Sequence, residues 1–315
     1  MEQPLVSIVV ITYNSGKFVR ETLDSIKAQT YPNIELIVTD DCSRDNTVEI
    51  VRGWIEDNKS AFSVEPILVT TPKNTGTCAN LNRGVRASHG EWIKSLAGDD
   101  KLKPECIGSF IGFVAEHPDC QFCCCDLELF SEDGANLDGT RNLYNYFFSS
   151  VRKSYKEKCR QFITRFTIPG PGWFYSRKLY DEIGGFDESY ILNEEQPFVY
   201  KALQHGYDIL PVTDRLVYYR INNASVSHQR TAELGNPLLF NDAKRFYKRV
   251  RRRIMLKRGM FLTVWDTDVS YFVSSYQYKK DVAPWRKQAV KLLRYLDFHY
   301  DILQLKSFVY RLVHK

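Results

Sequence analysis

Over its first 130 residues the chain switches repeatedly between short unbroken apolar runs and apolar residues spaced three or four apart, and no other feature narrows the possible folds as much. Residues 5–12 (LVSIVVIT) read as a buried strand, and 17–29 as a helix with Val19, Leu23 and Ile26 on one face. A second strand is expected at 34–39 (IELIVT), followed by a helix from about Thr47 with Val48, Val51 and Ile55 aligned. A third strand at 66–70 leads into a helix ending near Ser88, and 92–96 is a fourth strand. Pro104 suits the start of a helix that carries Ile107, Phe110, Ile111 and Val114. Alternation of this kind predicts an α/β fold: a mostly parallel sheet with helices on both faces and ligands at the carboxyl ends of its strands.

Polar residues gather at those ends. The first strand runs into Thr12, Tyr13 and Asn14, the second into Asp40, Asp41, Cys42 and Ser43, and the fourth into Gly98, Asp99 and Asp100. Adjacent carboxylates repel, so each pair needs a cation or hydrogen-bond donors nearby. Asp99 and Asp100 follow a glycine, and their hard oxygens suit Mg²⁺ or Mn²⁺. Asp40 and Asp41 precede Ser43, Asp45 and Thr47, which is also helix-capping chemistry. Either pair alone reads equally well as a turn or a cap. Two pairs at one edge of one sheet point to a site.

The second half is less regular. Residues 131–172 carry a weak pattern, 207–219 read as a strand, and from about Pro237 the chain is helical and basic. Residues 241–315 hold 18 Lys and Arg against 6 Asp and Glu, while the preceding 240 residues have a net charge of −7. The segment 244–258 (KRFYKRVRRRIMLKR) has nine basic residues, and on a helix Phe246, Val250 and Ile254 align between them. That is the pattern of a helix lying on an anionic membrane surface, with Val264, Trp265, Tyr271, Phe272, Tyr276 and Trp285 suited to the interface. The alternative is a helical extension packed on the acidic body. Nucleic acid is not an expected partner, because a body of charge −7 repels phosphate.

Other classes are excluded by what is missing. TYNSGKF has one glycine where a nicotinamide-binding strand–helix turn needs G-x-G-x-x-G. No stretch approaches the roughly 18 apolar residues of a membrane span. The start, MEQPLVS, has an acid and a proline where a signal peptide carries lysines and an apolar run, so a cytoplasmic chain is expected. Eight cysteines, three of them adjacent at 123–125, fit buried reduced thiols better than disulfides or a metal cage.

The blocks VSIVVITYN, VTDDCSRDNT, NTGTCANLNRGV and LAGDD, followed by IGGFDESY, NEEQPFVYKALQHGYDI and YYRINNASVS, together resemble the family 2 glycosyltransferases of the GT-A fold, in that family's order and spacing. The resemblance covers about residues 5–228. It implies a GT-A-type, Rossmann-like sheet and an inverting transferase. The donor would be a nucleotide diphospho-sugar, UDP-linked by preference, with a divalent metal on the diphosphate. Carried over by position, Thr12, Tyr13, Asn14, Asp41, Asn82, Gly98 and Asp99 would form the nucleotide-sugar site, with Asp41 on the base. Asp99 matches the metal-binding acid, with Asp100 beside it. The chain departs from the pattern at Ala97, where an acid is usual, and at Leu81, where many relatives are basic.

The resemblance also implies a catalytic base at Glu195, with Glu194 as its neighbour, where the family has Glu-Asp. Pro197 marks a helix start, and a helix N-terminus favours the ionised carboxylate a base must be. Taken alone, the same acids read as the solvated first turn of a helix. His228 is a candidate for the metal or diphosphate, given Asn222 where relatives often carry a histidine. Arg220 could face the diphosphate or pair with an acid of the body. The expected organisation is a catalytic domain over 1–236, with its nucleotide-binding half at about 1–130 and its acceptor half at 131–236, and a basic helical tail over 237–315. The acceptor is expected to be a growing glycan or a lipid-linked oligosaccharide, met at the inner face of the cytoplasmic membrane.

Overall fold

The computed structural model describes residues 3–131, 137–164, 168–221, 236–278 and 282–291. The chain divides into two compact units, Met1–Ser225 and Val226–Lys315.

The first unit begins as the periodicity predicts. Strand β1 (Val6–Thr12), helix α1 (Val19–Lys27), β2 (Ile34–Asp40), α2 (Thr47–Asn58), β3 (Ile67–Thr70), α3 (Thr77–Arg86) and β4 (Trp92–Ala97) follow in turn. Strands β1, β2, β3 and β4 are parallel, with Ile8 beside Leu36 on one side and Lys94 on the other. β1 and β2 are buried on both faces, which is why their sequences run apolar without alternation. Helix α1 buries Val19, Leu23 and Ile26 as expected. Helix α2 is turned slightly from its expected face, burying Val51 and Trp54, because the Trp54 indole donates to Asp24 Oδ1 on α1 at 2.7 Å.

After a short β5 (Lys101–Leu102) come α4 (Cys106–Glu116), β6 (Phe122–Phe130), α5 (Asp138–Val151) and α6 (Tyr155–Thr164). Then follow β7 (Trp173–Ser176), α7 (Arg177–Glu182), α8 (Glu195–Gln204) and β8 (Leu210–Arg220). The eight strands lie in the order β3-β2-β1-β4-β7-β6-β8-β5. β7 enters antiparallel between β4 and β6, so the sheet is parallel on one side and mixed on the other. The weakly patterned stretch is mainly α5 and α6. The three adjacent cysteines lie within β6 as buried free thiols. Gly172 closes on this strand, where a Cβ would stand 2.6 Å from the Cys125 carbonyl and 2.9 Å from Cys124 Sγ.

The second unit is helical. Helix α9 (Pro237–Phe246) starts under an Asn236 cap and passes through a π-helical turn, Tyr247–Arg251, into α10 (Arg252–Lys257). Helices α11 (Phe261–Gln277) and α12 (Pro284–Lys291) follow. The π turn shifts the phase of the basic segment, so the straight Phe246–Val250–Ile254 stripe does not form. Phe246, Tyr247 and Met255 are buried instead. Tyr247 stacks on Tyr271 at 5.0 Å, and Arg252 pairs with Asp268 at 2.9 Å. Arg245, Lys248, Arg249, Arg253, Lys257 and Arg258 remain exposed. Of the apolar residues expected at an interface, Trp265, Phe272 and Trp285 are exposed, whereas Val264 is buried. Among the described residues, no helix is long and apolar enough to cross a membrane.

Candidate active site

The carboxyl ends of β1, β2 and β4 meet as their polar sequences predict, and the loops there are locked to one another. The Thr12 hydroxyl donates to Asp40 Oδ2 at 2.8 Å, and the Ser43 backbone N–H donates to Asp40 Oδ1 at 2.8 Å. The Asn14 N–H donates to Ser43 Oγ, and Asn14 Oδ1 accepts from the Arg44 N–H, each at 2.8 Å. Asn14 and Cys42 hold φ values of 53° and 67°, a region non-glycine residues seldom adopt, so these loops are strained where they cross. Gly98 is required here: a Cβ would stand 2.8 Å from Thr12 Cγ2 and 3.0 Å from Ser15 Oγ. Thr12 and Asn14 thus build the rim, and the neighbouring Tyr13 ring is 40% exposed above it.

Asp41 organises the next layer. Its carboxylate accepts from the Thr75 N–H, the Thr75 hydroxyl at 2.6 Å and the Gly76 N–H at 2.7 Å, with Arg83 Nη2 at 3.3 Å. These contacts fix the loop before α3. Gly76 has φ 88° and packs so tightly that a Cβ would lie 2.7 Å from the Ile191 carbonyl, which also accepts from the Thr77 N–H at 2.7 Å. The loop before α3 is therefore tied directly to the segment that leads to Glu194 and Glu195.

The two acids after Gly98 take different environments. Asp99 is half-buried, whereas Asp100 is fully buried. Asp100 Oδ1 accepts from the Arg220 N–H at 2.9 Å, and its Oδ2 has no partner among the described residues. Burial first, and then the charge of Asp99, push the Asp100 carboxyl well above the ordinary carboxylate range. The two expected metal ligands thus differ: the Asp99 side chain is partly exposed, and that of Asp100 is internal.

Arg220 lies inside the protein as well. Its guanidinium sits over Phe18 and Phe130 at 4.3 and 4.6 Å, donates to the Asp99 carbonyl at 2.8 Å, and pairs with Glu21 at 2.9 Å. With its side chain 1% exposed, this arrangement matches pairing with an acid of the body rather than an open diphosphate contact. Asn82 is likewise internal. Its amide donates to the Phe186 carbonyl and Glu188, and accepts from the Tyr180 hydroxyl and the Phe186 N–H. His228 and Asn222 lie outside the described residues.

Glu194 and Glu195 stand at the start of α8. Glu195 Oε1 accepts from the Gly170 N–H at 2.7 Å. Burial pushes the Glu195 carboxyl up to about 7, against the smaller opposing effect of that hydrogen bond. Glu194 borders a cavity of about 410 Å³, counting its open mouth, whose walls include Leu81, Ala97 and Trp173. The two positions that depart from the family pattern, Leu81 and Ala97, therefore face one space.

Sequence reasoning did not find the turn Gly170–Gly172, Trp173 or Lys94. Lys94 is fully buried in β4, and its ammonium donates to the Ser95 carbonyl at 2.9 Å and the Pro171 carbonyl at 2.5 Å. It holds the turn whose Gly170 N–H holds Glu195. A lysine in an otherwise apolar strand was the available signal, since such a charge must find partners.

Among the described residues, no three His, Cys, Asp or Glu side chains form a metal cage. A magnesium-like ion does not need one, because it binds through one or two carboxylates and substrate phosphates. Asp99 fits that use.

Residues 7–184 match the model of Glycosyl transferase family 2, and the chain belongs to that family. A Bacillus subtilis relative named "Putative glycosyltransferase EpsH" is 26% identical over 236 residues, covering 72% of this chain and 63% of that protein. The chain spans between about half and two thirds of the length of this relative and of a second from the same organism, at 63% and 52%. The fold is similar to that of Staphylococcus aureus TarS 1–349 solved with UDP-GlcNAc, at TM-score 0.55 and 20% identity, covering 85% of this chain and 81% of that one. It is also similar to the mannosyltransferase PcManGT of Pyrobaculum calidifontis, solved with GDP-Man and Mn²⁺, at TM-score 0.57 and 18% identity, covering 96% and 88%. The sheet and its flanking helices are those of the GT-A, Rossmann-like fold.

Proposed function

We propose that this protein is an inverting glycosyltransferase that moves a sugar from a nucleotide diphosphate, most naturally UDP, to a hydroxyl of a growing glycan or lipid-linked acceptor. The observation that carries the reading is Glu195. It is a half-buried carboxyl at a helix start, held by the Gly170 N–H and raised towards neutrality. A base must be ionised often enough to act and basic enough to accept a proton, and a value near 7 satisfies both at physiological pH. Glu195 takes the proton of the acceptor hydroxyl as that oxygen attacks the anomeric carbon from the face opposite the diphosphate. The bond to the diphosphate oxygen breaks as the new glycosidic bond forms, which inverts the anomeric centre.

Asp99 would hold the divalent cation, Mn²⁺ or Mg²⁺, which when bound neutralises charge on the leaving diphosphate. Tyr13 offers an exposed ring for the base, and Asp41 with the Thr75–Gly76 loop shapes the pocket around it. The exposed basic residues of α9 and α10, together with Trp265 and Phe272 on α11, support a peripheral position on an anionic cytoplasmic membrane surface. Calorimetry with UDP, GDP and CMP, with and without Mn²⁺, tests the core of the reading. Metal-dependent binding of UDP is the expected result, and absence of binding by all three overturns it.

A further inference from the structure

The turn whose Gly170 N–H holds Glu195 does not place itself. The Gly172 N–H donates to the Pro169 carbonyl at 3.2 Å and the Trp173 N–H donates to the Gly170 carbonyl, which shapes the turn without fixing it on the sheet. The ladder between β4 and β7 ends at Ile93 and Tyr175, so β4 gives the turn no sheet hydrogen bond. Lys94, the next residue of β4, spans the gap with its donations to the Pro171 and Ser95 carbonyls. On the far side the turn meets the acid itself, since a Cβ on Gly170 would stand 3.3 Å from Glu195 Oε1. The ammonium is fully buried, and both of these partners are carbonyls rather than a carboxylate. Its charge is felt instead at Asp100 and at the thiols of Cys106, Cys124 and Cys125. A methionine would fill much the same space without the cost of desolvating a charge, so a lysine kept here has a use.

We propose that Lys94 is a positioning residue for the catalytic base: it pins the Pro171 carbonyl so that the Gly170 N–H stays on Glu195. The inference rests on the transferase reading, in which Glu195 takes the proton, and adds the group that aims it. β4 ends two residues before Asp99, so one strand carries the acid proposed for the cation and, through Lys94, secures the base. The ionisable groups facing Glu195 are Cys124 of β6 and Tyr144 of α5, both kept neutral by burial, with Glu194 next to it in the chain. The Gly170 N–H is therefore the donor that favours the ionised carboxyl. Without Lys94 the turn relaxes and the ionised form loses that donor.

The test uses the full chain. Lys94→Met keeps an unbranched apolar stem and removes the donor. Carbon-13 NMR of protein labelled at the glutamate carboxyl carbons follows the titration, with the Glu195 signal assigned by its absence in Glu195→Gln. The Glu195 midpoint should rise by about one pH unit, the loss of one hydrogen bond to a charged group. At pH 7 the ionised fraction then falls from about one-half to about one-tenth. Calorimetry with UDP and Mn²⁺ should give the wild-type affinity, because Lys94 acts on the base and not on the nucleotide. Thermal denaturation checks that the variant folds. Lys94→Gln, which keeps a neutral donor on a shorter arm, should give a smaller rise and serves if Lys94→Met does not fold. An unmoved Glu195 midpoint in a folded variant overturns the inference, as does unfolding of both variants, which would make Lys94 a residue of the core. Failure of the wild-type chain to bind UDP, GDP or CMP defeats the transferase reading instead, a result the NMR titration does not depend on.

Discussion

Replacing Glu195 by Gln keeps an oxygen for the Gly170 N–H but removes the group proposed to take the proton. Turnover should fall by about 10² to 10⁴, the usual cost of losing a positioned base, while donor affinity stays near wild type. The wild-type pH profile gives a sharper check. A carboxyl near 7 is about one-tenth ionised at pH 6 and nine-tenths at pH 8, so kcat should rise about tenfold across that interval. An ordinary glutamate, near 4.5, would give a flat profile there.

Stability should move in the opposite direction. The folded chain holds this proton more tightly than the unfolded one, so the associated stability is complete below 4.5 and is lost as the pH rises through about 7. Full ionisation costs at most about 3 kcal/mol, and Glu195→Gln should exceed wild type in stability above pH 7 by up to that amount. Single-turnover product release measured from pH 5.5 to 8.5, with urea unfolding at pH 5.5 and pH 8, reads both effects. Near-normal turnover in Glu195→Gln would refute the assignment, as would a flat wild-type profile. Inactivation by Glu194→Gln alone would move the base one residue earlier.

Asp99→Asn should abolish the Mn²⁺-dependent part of nucleotide binding in calorimetry without lowering the melting temperature, and unchanged metal-linked binding would remove Asp99 from the site. Arg220→Met should cost about 2 kcal/mol in urea unfolding. Glu21 is 43% exposed and rehydrates, leaving the lost guanidinium contacts as the main term. A variant of full stability that loses nucleotide affinity would instead place Arg220 on the ligand. Gly76→Ala should destabilise by about 2 kcal/mol and lower turnover, because φ 88° and the 2.7 Å approach to the Ile191 carbonyl leave no room for a methyl. The full chain should float with vesicles containing anionic lipid at low salt and be released at high salt. Indifference to such vesicles at low salt would make the basic helices structural.

Local pattern carried the parallel half of the molecule. Unbroken apolar runs and three-to-four-residue spacing are short-range properties, and β1, β2 and β4 form where those signals lie. Because parallel strands put all their carboxyl ends on one edge, the convergence of Thr12, Asp41 and Asp99 follows from the strand pattern alone. The start of α8 at Glu195 was legible for a similar reason, since Pro197 stands in a helix's first turn.

Tertiary structure decided which of those polar residues remain available. Asn82 meets Phe186, and Asp100 meets Arg220, across more than a hundred residues of chain. Nothing local marks such partners, so a buried carboxyl and an accessible one look alike in Asp99-Asp100. Long-range pairing also set the antiparallel entry of β7, which no periodicity announces. The basic helix shows the same limit, because a π turn between α9 and α10 rephases its faces and buries Phe246 against neighbours that a helical projection cannot contain. Helical and strand periods are set by neighbouring residues along the chain, but burial is set by whatever the rest of the chain brings alongside.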